Sequence, residues 1–300
     1  MGWLCNNTTV GQLNLAVANP FPYYDNIIQE GAGSAIYMGY RPSDSTAFAL
    51  SAWHFNAGNA APITIQGLNY PLVSNQKIPN SDLRLLGYRR GDLQVPSLPS
   101  VPLATSIPTL GQAVVMIGNG LRRTENATTD ANTSDASTFG AEMGYDWSAT
   151  RLARWGFNNV DFLVGVPANG IVNTLNLGSY TTEAWSADFD EPGAGEWVTS
   201  NEGMGALNDS GGGAFAFAGG QWVLTGVTTG VDSVSSAETA SLFTRGSNAL
   251  YRGTFFTDVG TFDTDVTAVT GLLIPEPSSL GLAAMSGLLF LRRRRPARQS

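Results

Sequence analysis

The apolar residues of this 300-residue chain come in short runs, and that pattern most limits its fold. Glycine, proline, asparagine, aspartate and serine interrupt the runs about every ten residues. The clearest runs are GSAIYMGY, STAFALSAW, LRLLGY, AVVMIGNG, VDFLVGV and GAFAFAGGQWVLTGVTTG. Short alternating runs separated by turn residues are typical of antiparallel sandwiches and barrels. No long segment before the C-terminal tail has a clear helical period, so the sequence predicts an all-β fold.

Composition narrows the classes of partner and cofactor. Charged residues make up only 13% of the chain and the formal net charge is −8, which argues against nucleic acid as a partner. Cys5 is the only cysteine, so no intrachain disulfide can form, and His54 is the only histidine. So few soft ligands exclude a Cys/His zinc site. A carboxylate calcium site stays open, although the acidic stretches 188–196 and 257–265 have no recognisable ligand spacing and are predicted to be solvated loops.

The last 27 residues, IPEPSSLGLAAMSGLLFLRRRRPARQS, have three parts. The tripeptide Pro275, Glu276, Pro277 is rigid and non-helical. Residues 280–291 are apolar without a polar face, and four arginines follow at 292–295. As a helix the apolar part would span about 18 Å, short of the roughly 30 Å of a bilayer core. We expect a short hydrophobic helix at the membrane, with the arginines on the cytoplasmic side.

This order of parts resembles the PEP-CTERM sorting signal of Gram-negative bacteria. The resemblance implies an exosortase-type enzyme that acts at Pro275–Pro277. It also implies an exported protein that is first anchored in the inner membrane and then reaches the cell surface or the medium. The beginning, MGWLCNNTTVGQLNL, has neither the basic nor the apolar region of a signal peptide. We therefore expect either a truncated start or an export signal outside these residues.

The stretch LNDSGGGAFAF, residues 207–217, places an acid and a serine before three glycines. Consecutive glycines lose much backbone entropy on folding, so an unusual conformation or a very close backbone approach must require them. One such place is a turn that exposes a nucleophilic serine and aims N–H groups at an oxyanion. The other is a glycine cluster in a β-hairpin or bulge. The stretch alone leaves both readings open.

A serine nucleophile needs a base, and the base needs an acid that holds its tautomer. The only candidate base is His54, which ends the apolar run ALSAWH. Asp82 is the candidate acid, because it opens the run DLRLLGY after a turn. Taken singly, the histidine could be a satisfied structural residue and the aspartate a turn residue.

Chain order separates the families that use such a triad. The order His54, Asp82, Ser210 rules out the α/β-hydrolases, which run serine, acid, histidine. The subtilisin order requires an acid before the histidine, such as Asp25 or Asp44, and the surroundings of Ser210 do not fit it. The chymotrypsin order fits directly.

Three motifs then resemble those of trypsin-like serine proteases. SAWHF resembles their T-A-A-H-C, DLRLL their D-I-A-L-L, and NDSGGGAF their G-D-S-G-G-P, within a likeness that covers about residues 33–232. The resemblance implies two antiparallel six-stranded β-barrels of chymotrypsin type with the site in the cleft between them. It divides the chain into an N-terminal segment (1–32), barrel one (about 33–118), a polar linker (about 119–144), barrel two (about 145–250), a spacer (251–273) and the sorting segment (274–300).

The resemblance also implies roles. Ser210 would attack the scissile carbonyl, His54 would carry the proton, and Asp82 would orient the imidazole. The N–H groups of Asn208 and Ser210 would form the oxyanion hole, and no cofactor or metal would be needed. Met204 and Thr229 would contribute to the main substrate pocket. Because position 204 holds a methionine and not an acidic residue, cleavage after lysine or arginine is disfavoured. A preference for cleavage after apolar side chains is expected.

Several residues depart from the family pattern. Asn208 stands where the family has glycine, at a position that needs φ > 0, which asparagine tolerates better than most residues. Asp209 pairs with a freed amino terminus in activated relatives; no activation sequence is present, so local partners are expected. Trp53 and Phe55 flank the histidine in place of a small residue and a cysteine, and packing must offset the missing disulfide.

The sequence therefore predicts a secreted or surface serine endopeptidase acting on proteins or peptides. The alternative is a non-catalytic surface or matrix binding protein that keeps the fold while its oxyanion hole has decayed at Asn208. An esterase would use the same chemistry.

Overall fold

The computed structural model of the chain describes eleven ranges of residues, and β-strands form most of their regular structure. The described ranges are 4–5, 21–55, 61–123, 137–139, 142–151, 153–161, 174–176, 181–189, 203–231, 240–242 and 253–271.

The strands follow the short runs of the sequence. In chain order they are β1 Leu4–Cys5, β2 Ile27–Glu30, β3 Gly33–Arg41, β4 Thr46–Ala52, β5 Ile63–Ile65, β6 Leu68–Tyr70, β7 Leu72–Lys77, β8 Leu83–Tyr88, β9 Ala113–Gly118, β10 Leu121–Arg123, β11 Ser137–Phe139, β12 Glu142–Arg151, β13 Arg154–Asn159, β14 Thr174–Asn176, β15 Thr181–Asp188, β16 Gly203–Met204, β17 Gly213–Ala218, β18 Gln221–Val231, β19 Ala240–Leu242 and β20 Gly253–Asp258. A 3-10 helix, Tyr24–Asn26, precedes β2, and the α-helix α1, Val259–Thr270, follows β20.

Two sheets carry the structure. The first has five strands in the order β2-β3-β4-β8-β7, and the second has seven in the order β13-β9-β17-β18-β20-β15-β14. Every pairing between these strands is antiparallel. The all-β prediction is confirmed, and the arrangement is consistent with a chymotrypsin-like fold. The strand counts are five and seven rather than six and six, and hydrogen bonds between the described residues close neither sheet into a barrel.

The two sheets share one core. Ile36 and Leu50 from the first sheet are buried in the same cluster as Ile117, Phe215 and Leu224 from the second. Alternate residues of β3 and β4 enter a second cluster on the opposite face of the first sheet, where β5 and β6 cover it. Because both faces of β3 and β4 are covered, these strands read as nearly continuous apolar runs.

The segment 251–273, predicted as a spacer, belongs to the fold. Strand β20 lies inside the second sheet, paired with β15 and with β18. Its sequence, GTFFTD, is short and rich in threonine, so it lacks the strong apolar alternation of the other strands. Trp185 of β15 stacks on Phe256 with ring centroids 4.3 Å apart, so β20 also supplies core.

The acidic stretch 257–265, predicted as a solvated loop, is the end of β20 and the start of α1. The Asp258 side chain accepts hydrogen bonds from the N–H groups of Gly260 and Thr261 and so caps the helix. Burial raises the pKa of this carboxyl, against the opposing effect of those hydrogen bonds. Gly271, with φ 62°, ends the helix in the left-handed conformation. The expected hydrophobic helix at 280–291 and the Pro275–Pro277 tripeptide lie outside the described residues.

Two further boundaries differ from the sequence division. Within the segment 1–32, β2 pairs with β3, and Phe21 packs against Phe215 with ring centroids 4.9 Å apart. Within the predicted linker 119–144, β10 and β11 pair with β12. Short polar strands carry no apolar alternation that would mark them in a sequence.

Neither a membrane-spanning helix nor a metal cluster is found within the described ranges. No helix there is both long and apolar enough to cross a membrane. Within the same ranges, no group of three or more His, Cys, Asp or Glu side chains is placed to hold a metal ion.

The position of β20 predicts where the chain can be shortened. A chain ending at residue 271 should unfold as cooperatively as the full chain, because every strand of the second sheet is retained. A chain ending at residue 250 should lose cooperative unfolding, because β15 and β18 lose their shared partner and Trp185 loses Phe256. Thermal unfolding followed by circular dichroism compares the two. Equal unfolding midpoints would contradict the assignment of β20 to the sheet.

Candidate active site

The three side chains predicted as a triad meet at one place. His54 Nδ1 lies 2.6 Å from Asp82 Oδ2, and His54 Nε2 lies 2.8 Å from Ser210 Oγ. Both distances are within hydrogen-bond range, so the carboxylate, the imidazole and the hydroxyl form one continuous chain of hydrogen bonds. The histidine and serine are 156 positions apart in the chain, and only the fold brings them together.

The ends of two paired strands place the histidine and the aspartate. Ala52, the last residue of β4, pairs with Leu83, the first residue of β8, so His54 and Asp82 emerge at the same edge of the first sheet. The Trp53 N–H donates to the Asp82 carbonyl at 2.8 Å, and the His54 N–H donates to Asp82 Oδ1 at 2.8 Å. The carboxylate therefore holds the backbone of His54 as well as its ring.

Thr229 completes the surroundings of the carboxylate. Asp82 is fully buried, and the Thr229 hydroxyl donates a hydrogen bond to its Oδ2. The sequence predicted Thr229 in the substrate pocket, and it does line the cavity described below. Its bond to Asp82 was missed, because a threonine in the alternating run QWVLTGVTTG gives no sign of its partner.

The three glycines after Ser210 are explained by close backbone approaches. Gly211 has φ 86°, and a Cβ on it would overlap the carbonyl of Ser34. A Cβ on Gly212 would lie 2.6 Å from the Ile117 carbonyl oxygen. A Cβ on Gly213 would lie 2.7 Å from the ring of Phe215. These contacts show that the glycines are required by a closely packed turn, which a simple glycine cluster in a hairpin would not need.

Hydrogen bonds from both sheets fix this turn. The Ser34 N–H of β3 donates to the Ser210 carbonyl at 2.8 Å, and the Gly211 N–H donates to the Thr228 carbonyl of β18 at 2.9 Å. The Ser51 hydroxyl of β4 in turn donates to the Ser34 carbonyl at 2.7 Å. The serine is therefore held against the same sheet that carries the histidine.

Asn208 has the positive φ that was expected at this position, where the resembled family has glycine. Its φ is 73°, in the left-handed region that asparagine tolerates better than most residues. Among the described residues, neither the Asn208 N–H nor the Ser210 N–H donates a hydrogen bond. An oxyanion hole requires N–H donors that no other protein group occupies.

Asp209 is bound by local groups. Its carboxyl is fully buried and accepts the Gly120 N–H and the Ala206 N–H, each at 2.8 Å. Burial raises the pKa of Asp209 to about 8, against the opposing effect of these two N–H groups and of Arg151. The expectation of local partners is confirmed, and these bonds fix the turn that contains Asn208 and Ser210.

Arg151 was not singled out in the sequence. Its guanidinium donates to the carbonyls of Asn119, Gly31 and Gly33 at 2.9, 3.1 and 2.8 Å. It thereby ties the turn between β2 and β3 to the loop after β9. A single arginine among polar residues gives no sequence signal for such a role.

A cavity of about 200 Å³ adjoins Ser210. Its lining comes mainly from the turn before the serine and the end of β18, and includes His54, Trp147, Ala206, Leu207, Asn208, Ser210, Thr228, Thr229, Gly230 and Val231. No acidic side chain is among these lining residues. Met204, predicted at the pocket floor, is fully buried and is not among these lining residues. Leu207 and Trp147, which were not predicted, are lining residues instead.

Comparisons with known proteins give structural neighbours only. No protein-family model matches the chain, and no curated protein matches it. The structure is similar to the inactive form of the Rv3671c protease of M. tuberculosis H37Rv, with 14% identity and a TM-score of 0.44 over 88% of this chain and 95% of that one. It is also similar to kallikrein-related peptidase 10, with 12% identity and a TM-score of 0.47 over 83% and 97% of the two chains. With identities and scores this low, the assignment of a function rests on the geometry of the site.

The close approach at Gly211 predicts a large loss of stability on substitution. Gly211→Ala should lower the free energy of unfolding by more than about 3 kcal/mol, because strain at positive φ adds to the overlap with Ser34. Gly220 is a matched control, since it has φ 85° and no atom lies within 4 Å of the point that a Cβ would occupy. Gly220→Ala should lose only about 1–2 kcal/mol from the same strain. Urea denaturation measures both, and equal losses would contradict the packing described at the turn.

Proposed function

We propose that this protein is a serine endopeptidase that hydrolyses peptide bonds through an acyl-enzyme. The observation that carries the proposal is the unbroken hydrogen-bonded line from Asp82 through His54 to Ser210. A histidine, an aspartate and a serine, in the chymotrypsin order along the chain, lie within contact distance of one another beside an open cavity. A structural role alone would not require a hydroxyl to face a ring nitrogen at the surface of that cavity.

The first half of the reaction transfers the acyl group to the enzyme. Ser210 Oγ attacks the carbonyl carbon of the substrate while its proton passes to His54 Nε2. The carbonyl π electrons move to oxygen, and the N–H groups of Asn208 and Ser210 receive that oxyanion. When the C–N bond breaks, the proton on His54 passes to the departing amine, which leaves an ester on Ser210.

The second half releases the acyl group. A water molecule gives a proton to His54 Nε2 and attacks the ester carbon, and the same N–H pair binds the second oxyanion. Collapse breaks the bond to Ser210 Oγ, which recovers the proton from His54, and the carboxylic acid product leaves. Each oxyanion donor of this type is worth about 3–4 kcal/mol of barrier, so the φ of Asn208 bears directly on the rate.

Asp82 supports both halves. Because it is buried, its interaction with the imidazolium formed during proton transfer is weakly screened by water. Its bonds to the His54 N–H and to the Thr229 hydroxyl fix the carboxylate, so the tautomer and the direction of the ring are set before the substrate arrives.

We further propose that the protein is exported and carries a PEP-CTERM sorting signal. The support is the order of the tripeptide Pro275–Pro277, the apolar segment 280–291 and the arginines 292–295. The partners would then be an exosortase-type enzyme and the inner membrane before processing, and the substrate would be met at the cell surface or outside it.

The proposed reaction predicts covalent labelling of one serine. A fluorophosphonate probe should modify Ser210, and Ser210→Ala should abolish the adduct. His54→Ala should slow labelling by at least about 10⁴-fold, because the base that takes the proton is lost. Intact mass and peptide mapping measure the adduct. Folded wild-type protein that stays unmodified would instead favour a non-catalytic binding role, and hydrolysis of esters without peptides would favour an esterase.

The cavity predicts the kind of side chain that precedes the cleaved bond. Small or medium uncharged side chains should be preferred over lysine and arginine by at least about tenfold, or ~1.4 kcal/mol, because the lining offers a cation no acidic partner. Val231→Gly should shift the preference towards larger apolar side chains by widening the cavity. Val73→Gly, at an exposed valine of β7, is the control for the backbone change. A peptide library read by mass spectrometry decides, and a preference for basic residues would contradict the assignment of this cavity.

A further inference from the structure

Phe55, the residue after His54, is held between two parts of the first sheet. On one side, a Cβ on Gly33 would overlap the Phe55 ring, so the ring rests on the bare backbone of β3. On the other side, the Arg84 guanidinium lies over the ring, 5.1 Å from its centroid. Since Cys5 is the only cysteine, no intrachain disulfide holds the turn that follows the histidine.

Arg84 is itself fixed by a buried ion pair. Its Nη2 contacts Glu30 Oε2, and both side chains are fully buried. Glu30 is the end of β2 and pairs with Gly33 across the turn to β3, so the ion pair and the glycine lie together. Buried ion pairs add little net stability compared with apolar side chains of the same volume. A role in orientation accounts for this pair better than a role in stability.

The site has two parallel contacts between the same backbone segments. Asp82 directly precedes β8, and Arg84 is the second residue of that strand. Asp82 binds the ring of His54, and Arg84 lies over the ring of the next residue, Phe55. The position of the imidazole therefore depends on both contacts.

The Phe55 ring also rests on the strand that holds the nucleophile. The residue after Gly33 is Ser34, whose N–H donates to the Ser210 carbonyl at 2.8 Å and whose hydroxyl accepts the Asn119 N–H at 2.9 Å. The Phe55 ring thus connects the segment that carries His54 to the strand that anchors Ser210.

We propose that Phe55 is a positioning residue that sets the distance between His54 Nε2 and Ser210 Oγ, with the buried Glu30–Arg84 pair holding its ring in place. This inference rests on the proposed function of the same site. Phe55 does not touch the reacting atoms, so its effect is on the alignment of the imidazole. A misplacement of about 1 Å can lower a rate by about 100-fold.

The test compares two phenylalanines that each lie under an arginine. Phe55→Leu keeps an apolar side chain and removes the ring. Phe48→Leu is the matched control, because the Arg41 guanidinium also lies 5.1 Å from the Phe48 centroid, away from the triad. Phe55→Tyr keeps the ring and tests for rescue. The rate of Ser210 labelling by a fluorophosphonate is measured for each variant, with its melting temperature.

A spectroscopic signal reports on the same geometry without catalysis. Because His54 is the only histidine, ¹⁵N labelling of histidine gives one imidazole signal in the NMR spectrum. The exchange of its Nδ1 proton with water measures how well the hydrogen bond to Asp82 is kept. Phe55→Leu should slow labelling and speed this exchange by at least about tenfold each. Phe48→Leu should lower the melting temperature and leave both rates within about twofold, and Phe55→Tyr should restore most of the labelling rate.

Other outcomes overturn the inference. If Phe55→Leu keeps the wild-type rates of labelling and proton exchange, Phe55 has no positioning role. The same conclusion follows if Phe55→Leu and Phe48→Leu change these two rates equally, because Phe55 would then contribute only to packing. If the wild-type protein is not labelled, the proposed function fails by itself, and the exchange rate alone decides whether Phe55 positions the ring. If Phe55→Leu does not fold, Glu30→Gln/Arg84→Met replaces it, because that double variant removes the cation from the ring without leaving a buried charge unpaired. The same outcomes then decide.

Discussion

The buried carboxylate of Asp82 is the point on which the rest of the site depends. An ionised group without water must be bound by several partners, because each missing partner carries a large penalty. The partners come from both sheets: the N–H and ring of His54 from the end of β4, and the hydroxyl of Thr229 from β18. The two sheets must therefore dock in one relative position, and that position also places Ser210.

The turn around Ser210 meets the same requirement with backbone groups. Ser34 and Thr228, one from each sheet, hold the carbonyl of Ser210 and the N–H of Gly211. Side chains in place of the glycines after Ser210 would separate these strands. The Asp209 carboxyl also fixes the turn by accepting the N–H groups of Gly120 and Ala206. The backbone groups on both sides of Ser210 are thus paired, and this pairing holds the turn in one conformation.

The sequence was sufficient for the fold class, because the alternation of short apolar runs is a local signal. The three distant side chains were predicted to meet from their order along the chain and from the resemblance of their motifs to those of trypsin-like serine proteases. Residues whose importance depends on tertiary contacts gave no such signal in the sequence. Thr229 and Arg151 look ordinary until their partners are known. Counting back from the serine singled out Met204, which is fully buried. Strand β20 was missed because GTFFTD is short and polar, and its burial comes from neighbours far away in the chain.

The late position of β20 also bears on when the second sheet can be completed during synthesis. Strand β18, which bears Thr229, pairs with β20 along one edge, so that edge has no partner until residue 258 has left the ribosome. A nascent chain would already contain His54, Asp82 and Ser210 yet lack one strand of the sheet that carries Thr229. The order of translation thus leaves the second sheet incomplete until β20 has been made, however early its other strands appear.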